Sequence, residues 1–460
     1  MAFLWKGYKK TNIIIRLLVF LIVLNVGVAI GLRVAGTSQT LTSLRFVKSL
    51  NNPLKITMYD SWYPMIFALD YLDSHPKGPV YQEVFFKQID KFQYPPSSLL
   101  IFLLPHRFTG MSYLMIGHML DIISWICIFL IALISARMLI DFLNNQSQFI
   151  SFRVSPGLET ISIYLLVGML TTLYYPIVIS YNLGQIQTLL TFLGVLSMFC
   201  WTKDKKYLAG LLIGIICLIK PQMAMILVWA VVRKQWKMVM AGIAVILPVL
   251  FASLWYYGLR NHLDYLSVLS FLSHHGEGYY PNQSMNGLMN RILFNGNNVL
   301  WSHDFPPYSP IVYAVTMAFA ILFILPALFW HYKRKNPDLI ELSIIILATT
   351  IASPIAWEHH YGILLPICIV LLPFAVYFYQ NKKWVLLILC FAFTLTAQLI
   401  EFVRAFADSR LNILQSYLFF GACIILAFLY RISFLQNKQF KTGYEQIEAQ
   451  KLQNQRGEIL

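Results

Sequence analysis

Charge is what this sequence has least of. Charged residues make up 12% of the 460, Asp and Glu together number only 20, and hydrophobic residues reach 58% with a mean hydropathy of +0.63. Soluble domains carry about twice that charged fraction, so a water-soluble globular enzyme is excluded. Cysteine is also scarce. Cys127, Cys200, Cys217, Cys368, Cys390 and Cys423 lie singly within or at the ends of apolar runs. With no CxxC and no Cys/His ligand spacing, they read as buried free thiols and not as a metal module. The sequence also lacks a nucleotide-binding loop, a carboxylate cluster shaped for a divalent cation, an internal repeat and a soluble domain. A polytopic membrane protein remains.

Long apolar runs are abundant. They occupy about 11–34, 112–140, 158–180, 185–202, 207–219, 222–232, 236–257, 309–331, 338–352, 361–380, 384–403 and 411–431. This predicts an all-α integral membrane bundle of about 10–12 transmembrane helices. The first run follows a basic front and is too long for a signal-peptide core, so it reads as a retained span. The runs 207–219 and 222–232 are short and meet at Lys220-Pro221, which suggests a re-entrant or broken pair. A net charge of +15 could indicate nucleic acid, but the basic residues fall in short clusters between apolar runs. If the N-terminus is cytoplasmic, Lys6, Lys9 and Lys10, Lys203, Lys205 and Lys206, Arg233, Lys234 and Lys237, Lys333, Arg334 and Lys335, and Lys382 and Lys383 all share that side. Residues 1–432 then form one membrane domain, and 433–460 a polar cytoplasmic tail.

The segments 35–97, 258–308, 353–360 and 404–410 face the other way, and the candidate chemistry gathers in them. In MYDSWYPM, Asp60 precedes a helical stripe of Trp62, Met65, Ile66, Leu69 and Leu72 that suits a membrane interface, with Tyr59, Trp62 and Tyr63 as anchors. Either Asp60 or Ser61 can cap this helix. Pro64 favours Ser61 and frees the Asp60 carboxylate, but an ordinary cap or surface acid stays open. Tyr94-Pro95-Pro96 fixes an extended entry to an apolar segment, and Gly184-Gln185 offers amides at a helix junction. Lys220 is a charge at or within the bilayer edge, where snorkelling competes with function. Asn282-Gln283-Ser284 fits a glycosylation sequon and lies near Arg291. Trp357, His359 and His360 form a polar and aromatic turn; adjacent histidines point apart on a helix, so proton sharing or phosphate binding suits them better than a metal.

In this order and spacing, Asp60, Tyr94-Pro95-Pro96, Gly184-Gln185, Lys220-Pro221, Asn282-Gln283-Ser284 with Arg291, and Ser353-Pro354 through Trp357, His359 and His360 resemble the mannosyltransferases of glycosyltransferase family 87, the DUF2029 group of the GT-C superfamily. The resemblance spans about 55–375. It implies a GT-C bundle in a bacterial plasma membrane, with the active site on the outer face and Asp60 as catalytic base. It also implies a polyprenyl-phosphate sugar, usually mannose, as donor substrate, a lipid-anchored or glycan acceptor, and no other cofactor. His359, His360, Lys220 and Arg291 are then expected near donor phosphate, Gln185 and Asn282 near sugar, and Tyr94 and Trp357 among the substrate contacts. The family often has Asn two places after Gly-Gln, where this chain has Gln187. Sugar preference is therefore not carried over. Three alternatives compete: a transporter or flippase for a lipid-linked or anionic solute, to which Arg16, His118, Asp121 and Lys220 would belong; a membrane subunit without chemistry; and a GT-C relative that modifies proteins or lipid A with another sugar, a group that often pairs acids in the first outer loop, where Asp60 has no adjacent acidic partner.

Overall fold

The computed structural model describes residues 2–34, 42, 45, 60–144, 153–334, 336–379 and 381–457, with the side chains of 2–10 and 439–457 excluded. Tyr59, Lys335 and the side chains of Lys6, Lys9 and Lys10 thus lie outside the described residues. In a hydrocarbon solvent each backbone N–H and C=O must bond within its own segment, so the apolar runs become helices. The α-helices are α1 (Ala2–Val34), α2 (Trp62–Ser74), α3 (Leu100–Thr109), α4 (Tyr113–Asn144), α5 (Leu158–Leu173), α6 (Tyr175–Asn182), α7 (Gln187–Thr202) and α8 (Lys206–Ile219). They continue as α9 (Met225–Val232), α10 (Trp236–His275), α11 (Met285–Ile292), α12 (Pro310–Phe329), α13 (Leu339–Ile351), α14 (Leu364–Tyr379), α15 (Lys383–Ala397) and α16 (Tyr417–Gly457). Among the described residues there is no strand, only an isolated bridge between Asn282 and Trp357.

All twelve expected runs are helical. Six helices are long and apolar enough to cross a membrane alone, α5 and α6 make a seventh when taken together across a 58° bend, and five are shorter. The run ending at 257 in fact continues as a second limb of α10 beyond Gly258, whose backbone (φ 77°, ψ 157°) breaks the helix. Helix α16 shows no break at 433, so the tail extends the last span. Uniform hydrophobicity hides which spans are central. The structure puts α13 and the Glu358–Tyr379 span inside, the latter 89% buried, whereas the apolar windows of α10 and α12 are only 22% buried and form the rim. The cysteines are all unpaired, and only Cys423 is less than fully buried.

The loops expected to share a side share an end of the bundle. At one end Lys203 bonds Asp141 (2.7 Å), Arg233 bonds Glu341 (2.9 Å), and Arg334 bonds Asp338 (2.9 Å). At the other, residues 60–97, 181–187, 276–309, 353–363 and 398–416 are stitched together, for example by Lys91 with Glu277 and by Arg291 with Ser416. Helices α7 and α4 meet at Lys203 and Asp141. From there α7 rises only about 24 Å to Gln187, while α4 continues for about 40 Å. Helix α8 is equally short, and its close packing on α10 depends on glycine: a Cβ at Gly210 would lie 2.0 Å from the Met238 carbonyl oxygen, and one at Gly214 2.8 Å from that of Gly242. A broken connection, Lys220 followed by a 3₁₀ turn (Pro221–Ala224), leads back down through α9. Near the tip of this pair Ser97 donates to the Leu218 carbonyl (2.5 Å).

Candidate active site

Asp60 stands where the chain enters α2. Ser61 takes the N-cap position, as Pro64 predicted, but its side chain caps nothing. A serine N-cap normally accepts from the third helical residue, and here that residue is Pro64, which has no N–H. The hydroxyl is therefore free to face the neighbouring junction. It accepts from the Ile186 amide (3.1 Å) and donates to Gln185 Oε1 (2.7 Å), with the Tyr94 hydroxyl 2.7 Å away. Held in this orientation, the Gln185 amide Nε2 donates to Asp60 Oδ2. The backbone adds two bonds, Asp60 N–H to Leu183 O (3.2 Å) and Ser61 N–H to Gly184 O (3.3 Å). Gly184 has φ +63°, a left-handed conformation that side chains disfavour.

Asp60 itself stays exposed. The protein packed around it displaces enough water to raise its carboxyl above the ordinary value of 3.8, a shift opposed by the Gln185 hydrogen bond and the Lys91 charge. Burial pushes the Tyr94 phenol well above its usual range, so Tyr94 remains a proton donor. In the stripe Trp62, Met65, Leu69 and Leu72 are buried against the bundle and Ile66 is half-buried. Trp62, 0% exposed, is no interfacial anchor; Tyr63, 56% exposed, can be one.

A second cluster lies beneath. Lys220 is buried, and its Nζ donates to Gln187 Oε1 (2.7 Å), the position that departs from the family pattern. This is not a snorkelling lysine. Lys220, Gln187, Thr191 and His360 form the polar part of a narrow cavity of about 20 Å³, whose other walls are mainly Leu190, Ile213, Ile216 and Ile346. Contrary to expectation, the histidines do not point apart. In a 3₁₀ turn (Glu358–Ile363) their rings meet edge to face with centroids 4.7 Å apart, and the buried His359 Nε2 lacks a hydrogen-bond partner among the described residues. Among those residues, no three His, Cys, Asp or Glu side chains are gathered as a metal site.

The third group is correctly located but has a different task. Asn282 is 0% exposed, so its sequon is closed to glycosylation. Its amide accepts from the Ala356 N–H (2.9 Å) and donates to the carbonyls of Glu277 (2.8 Å) and Pro354 (3.3 Å), which leaves nothing for a sugar. Arg291, 1% exposed, donates to the Asn282 carbonyl (3.0 Å), more weakly to those of Gly278 and Tyr279 (both 3.4 Å), and to Ser416 Oγ (2.6 Å). It therefore clamps loops together, while its Nε has no hydrogen-bond partner among the described residues. Trp357, half-buried, faces Tyr279 across the same bridge. Arg291→Met should lower the melting temperature of the detergent-solubilised protein by the equivalent of about 2–4 kcal/mol, because several buried acceptors lose their donor. Arg291→Lys should not restore it, since an ammonium cannot reproduce the fork. Unchanged melting with a raised donor KM would return Arg291 to the phosphate.

Sequence reasoning gave no role to Gln187, to the bond from Lys91 to Glu277 (2.9 Å), or to the buried Glu358, which accepts from the Tyr417 hydroxyl (3.1 Å). Glu358 stood in the quoted turn, but its partner is 59 residues away, and no local signal could supply it.

Bundle, cavity and polar clusters define a polytopic membrane protein. The chain belongs to glycosyltransferase family 87, whose model matches residues 92–354. That match includes Tyr94, Gln185, Lys220, Asn282 and Arg291, while Asp60, Trp357, His359 and His360 fall outside it. The chain is also similar to a polyprenol-phosphate-mannose-dependent alpha-(1-2)-phosphatidylinositol pentamannoside mannosyltransferase of Mycobacterium tuberculosis (strain CDC 1551 / Oshkosh), 26% identical over 195 residues. The aligned part is 42% of this chain and spans 42% of the relative's length. No solved structure matches the chain.

Proposed function

We propose that this protein is an inverting glycosyltransferase that moves a sugar, mannose in our reading, from a polyprenyl-phosphate donor to a lipid-anchored or glycan acceptor, with Asp60 as general base. The observation that carries the reading is the Asp60 carboxylate, exposed at the end of the bundle where the site loops gather and fixed by Gln185, Ser61 and Tyr94. One Asp60 oxygen takes the proton of an acceptor hydroxyl; the acceptor oxygen attacks the anomeric carbon from one face, and the bond to phosphate breaks on the other. Phosphate leaves without a strong acid but gains from a nearby cation, for which Lys220 with His360 is the candidate. The dependence of the Mycobacterium tuberculosis relative on polyprenol-phosphate-mannose supports this donor. The donor lipid is a substrate and not a resident cofactor. Asn282 and Arg291 brace the loops at the same end. Basic clusters at the opposite end support an active site on the non-cytoplasmic face of a bacterial plasma membrane.

The test is transfer by the purified protein in lipid nanodiscs. Polyprenyl-phosphate mannose with lipid extracts as acceptor should yield a glycolipid heavier by one hexose. Transfer from a nucleotide sugar alone, with none from the polyprenyl donor, would overturn the donor reading.

A further inference from the structure

The base loop is tied to the bundle at one more place, by a carboxylate inside α4. Asp121 is 5% exposed, and its Oδ1 accepts a 2.7 Å hydrogen bond from Nε1 of Trp62, itself 0% exposed. An acid at this depth is costly unless it is bonded, and a serine, asparagine or glutamine could meet an indole N–H with no ionisable group. Trp62 follows Asp60 and Ser61 directly and packs edge to face on Phe102 of α3, with centroids 5.8 Å apart. The ring therefore fixes one side of the Asp60-Ser61 backbone, while Leu183, Gly184 and Gln185 fix the other. Without the indole bond, only the Gln185 side would hold the carboxylate in line, and a shift of about 1 Å at a reacting group can cost 10²-fold in rate.

We propose that Asp121 is a positioning residue for Asp60, acting through the Trp62 indole to set where the base carboxylate stands. This rests on the reading of Asp60 as the base. The Asp121 oxygen needs only to accept a hydrogen bond, so its charge is not required, and an amide oxygen should replace it.

Four variants assayed with the polyprenyl-phosphate mannose donor, at saturating donor and acceptor and across pH, test the idea. Asp121→Ala and Trp62→Phe should each lower kcat about 10- to 100-fold with little change in KM. The double variant should be no worse than either single one, because both remove the same link. Asp121→Asn should retain kcat within about threefold, since its amide oxygen accepts the same bond. In Asp121→Ala and Trp62→Phe the acid limb of kcat should move to higher pH, because a loosened Asp60 loses part of the Gln185 bond that lowers its pKa. A purely structural role would reduce the amount of folded protein and leave that limb in place. The proposal is overturned if Asp121→Asn is as impaired as Asp121→Ala while Trp62→Phe is normal, or if all the variants keep wild-type kcat and pH profile. Asp60→Asn run alongside separates the two ideas: if it is active the base assignment fails, and if it is silent while Asp121→Ala is normal only the link to Asp121 fails.

Discussion

Asp60→Asn should silence transfer, lowering kcat about 10²–10⁴-fold, the usual contribution of a positioned base, while donor binding and melting temperature stay close to wild type. Asparagine is the informative replacement because it is isosteric. Its side-chain oxygen still accepts from Gln185 Nε2, so the network of Gln185, Ser61, Tyr94 and the Ile186 amide survives and only the capacity to take a proton is lost. The pH profile gives a second handle. Desolvation places the Asp60 carboxyl above 3.8, and a base works only when deprotonated, so wild-type kcat should fall as pH drops through that raised pKa and hold above it. Gln185→Leu removes the bond that opposes the shift, so its acid limb should move to higher pH, in addition to any loss of kcat. A residual rate in Asp60→Asn with an unchanged acid limb would mean that another group supplies the base.

How much of this was legible beforehand differs from residue to residue. Periodicity and basic clusters revealed the helices and which loops share an end, because hydrocarbon forces backbone bonds inward and lysine resists burial. Pro64 located the start of α2 at Ser61, and the unexpected destination of the hydroxyl follows from the same proline, which removes the N–H that a cap would have used. The partner that took that hydroxyl, Gln185, is 124 residues distant, and nothing local announces it. Asp121 looked like a transporter's acid until Trp62 was found on it. The two cations Lys220 and Arg291 were indistinguishable in sequence, both being basic residues near polar motifs in apolar surroundings. Their tasks separate only through partners: backbone carbonyls of one loop for Arg291, a single side-chain amide beside a cavity for Lys220.

That separation makes the second large expected effect. Lys220→Met should reduce kcat/KM for the polyprenyl-phosphate donor about 10²–10³-fold, the range seen when one stabiliser of developing negative charge is removed, with acceptor KM little altered. Stability should respond in the opposite sense to that of Arg291→Met. Replacing a buried ammonium held by one side-chain hydrogen bond with an apolar chain of similar length relieves desolvation, so the melting temperature should hold or rise. Lys220→Arg should not restore activity, because a planar fork does not occupy the place of a compact charge aimed at Gln187 Oε1. Gln187→Leu should act in the same direction as Lys220→Met but more weakly, about tenfold, since the amine remains and loses only its alignment. If Lys220→Met instead loses stability and keeps its donor kcat/KM, the lysine is a structural element of the broken α8–α9 connection, and donor phosphate must be met by the histidines above it.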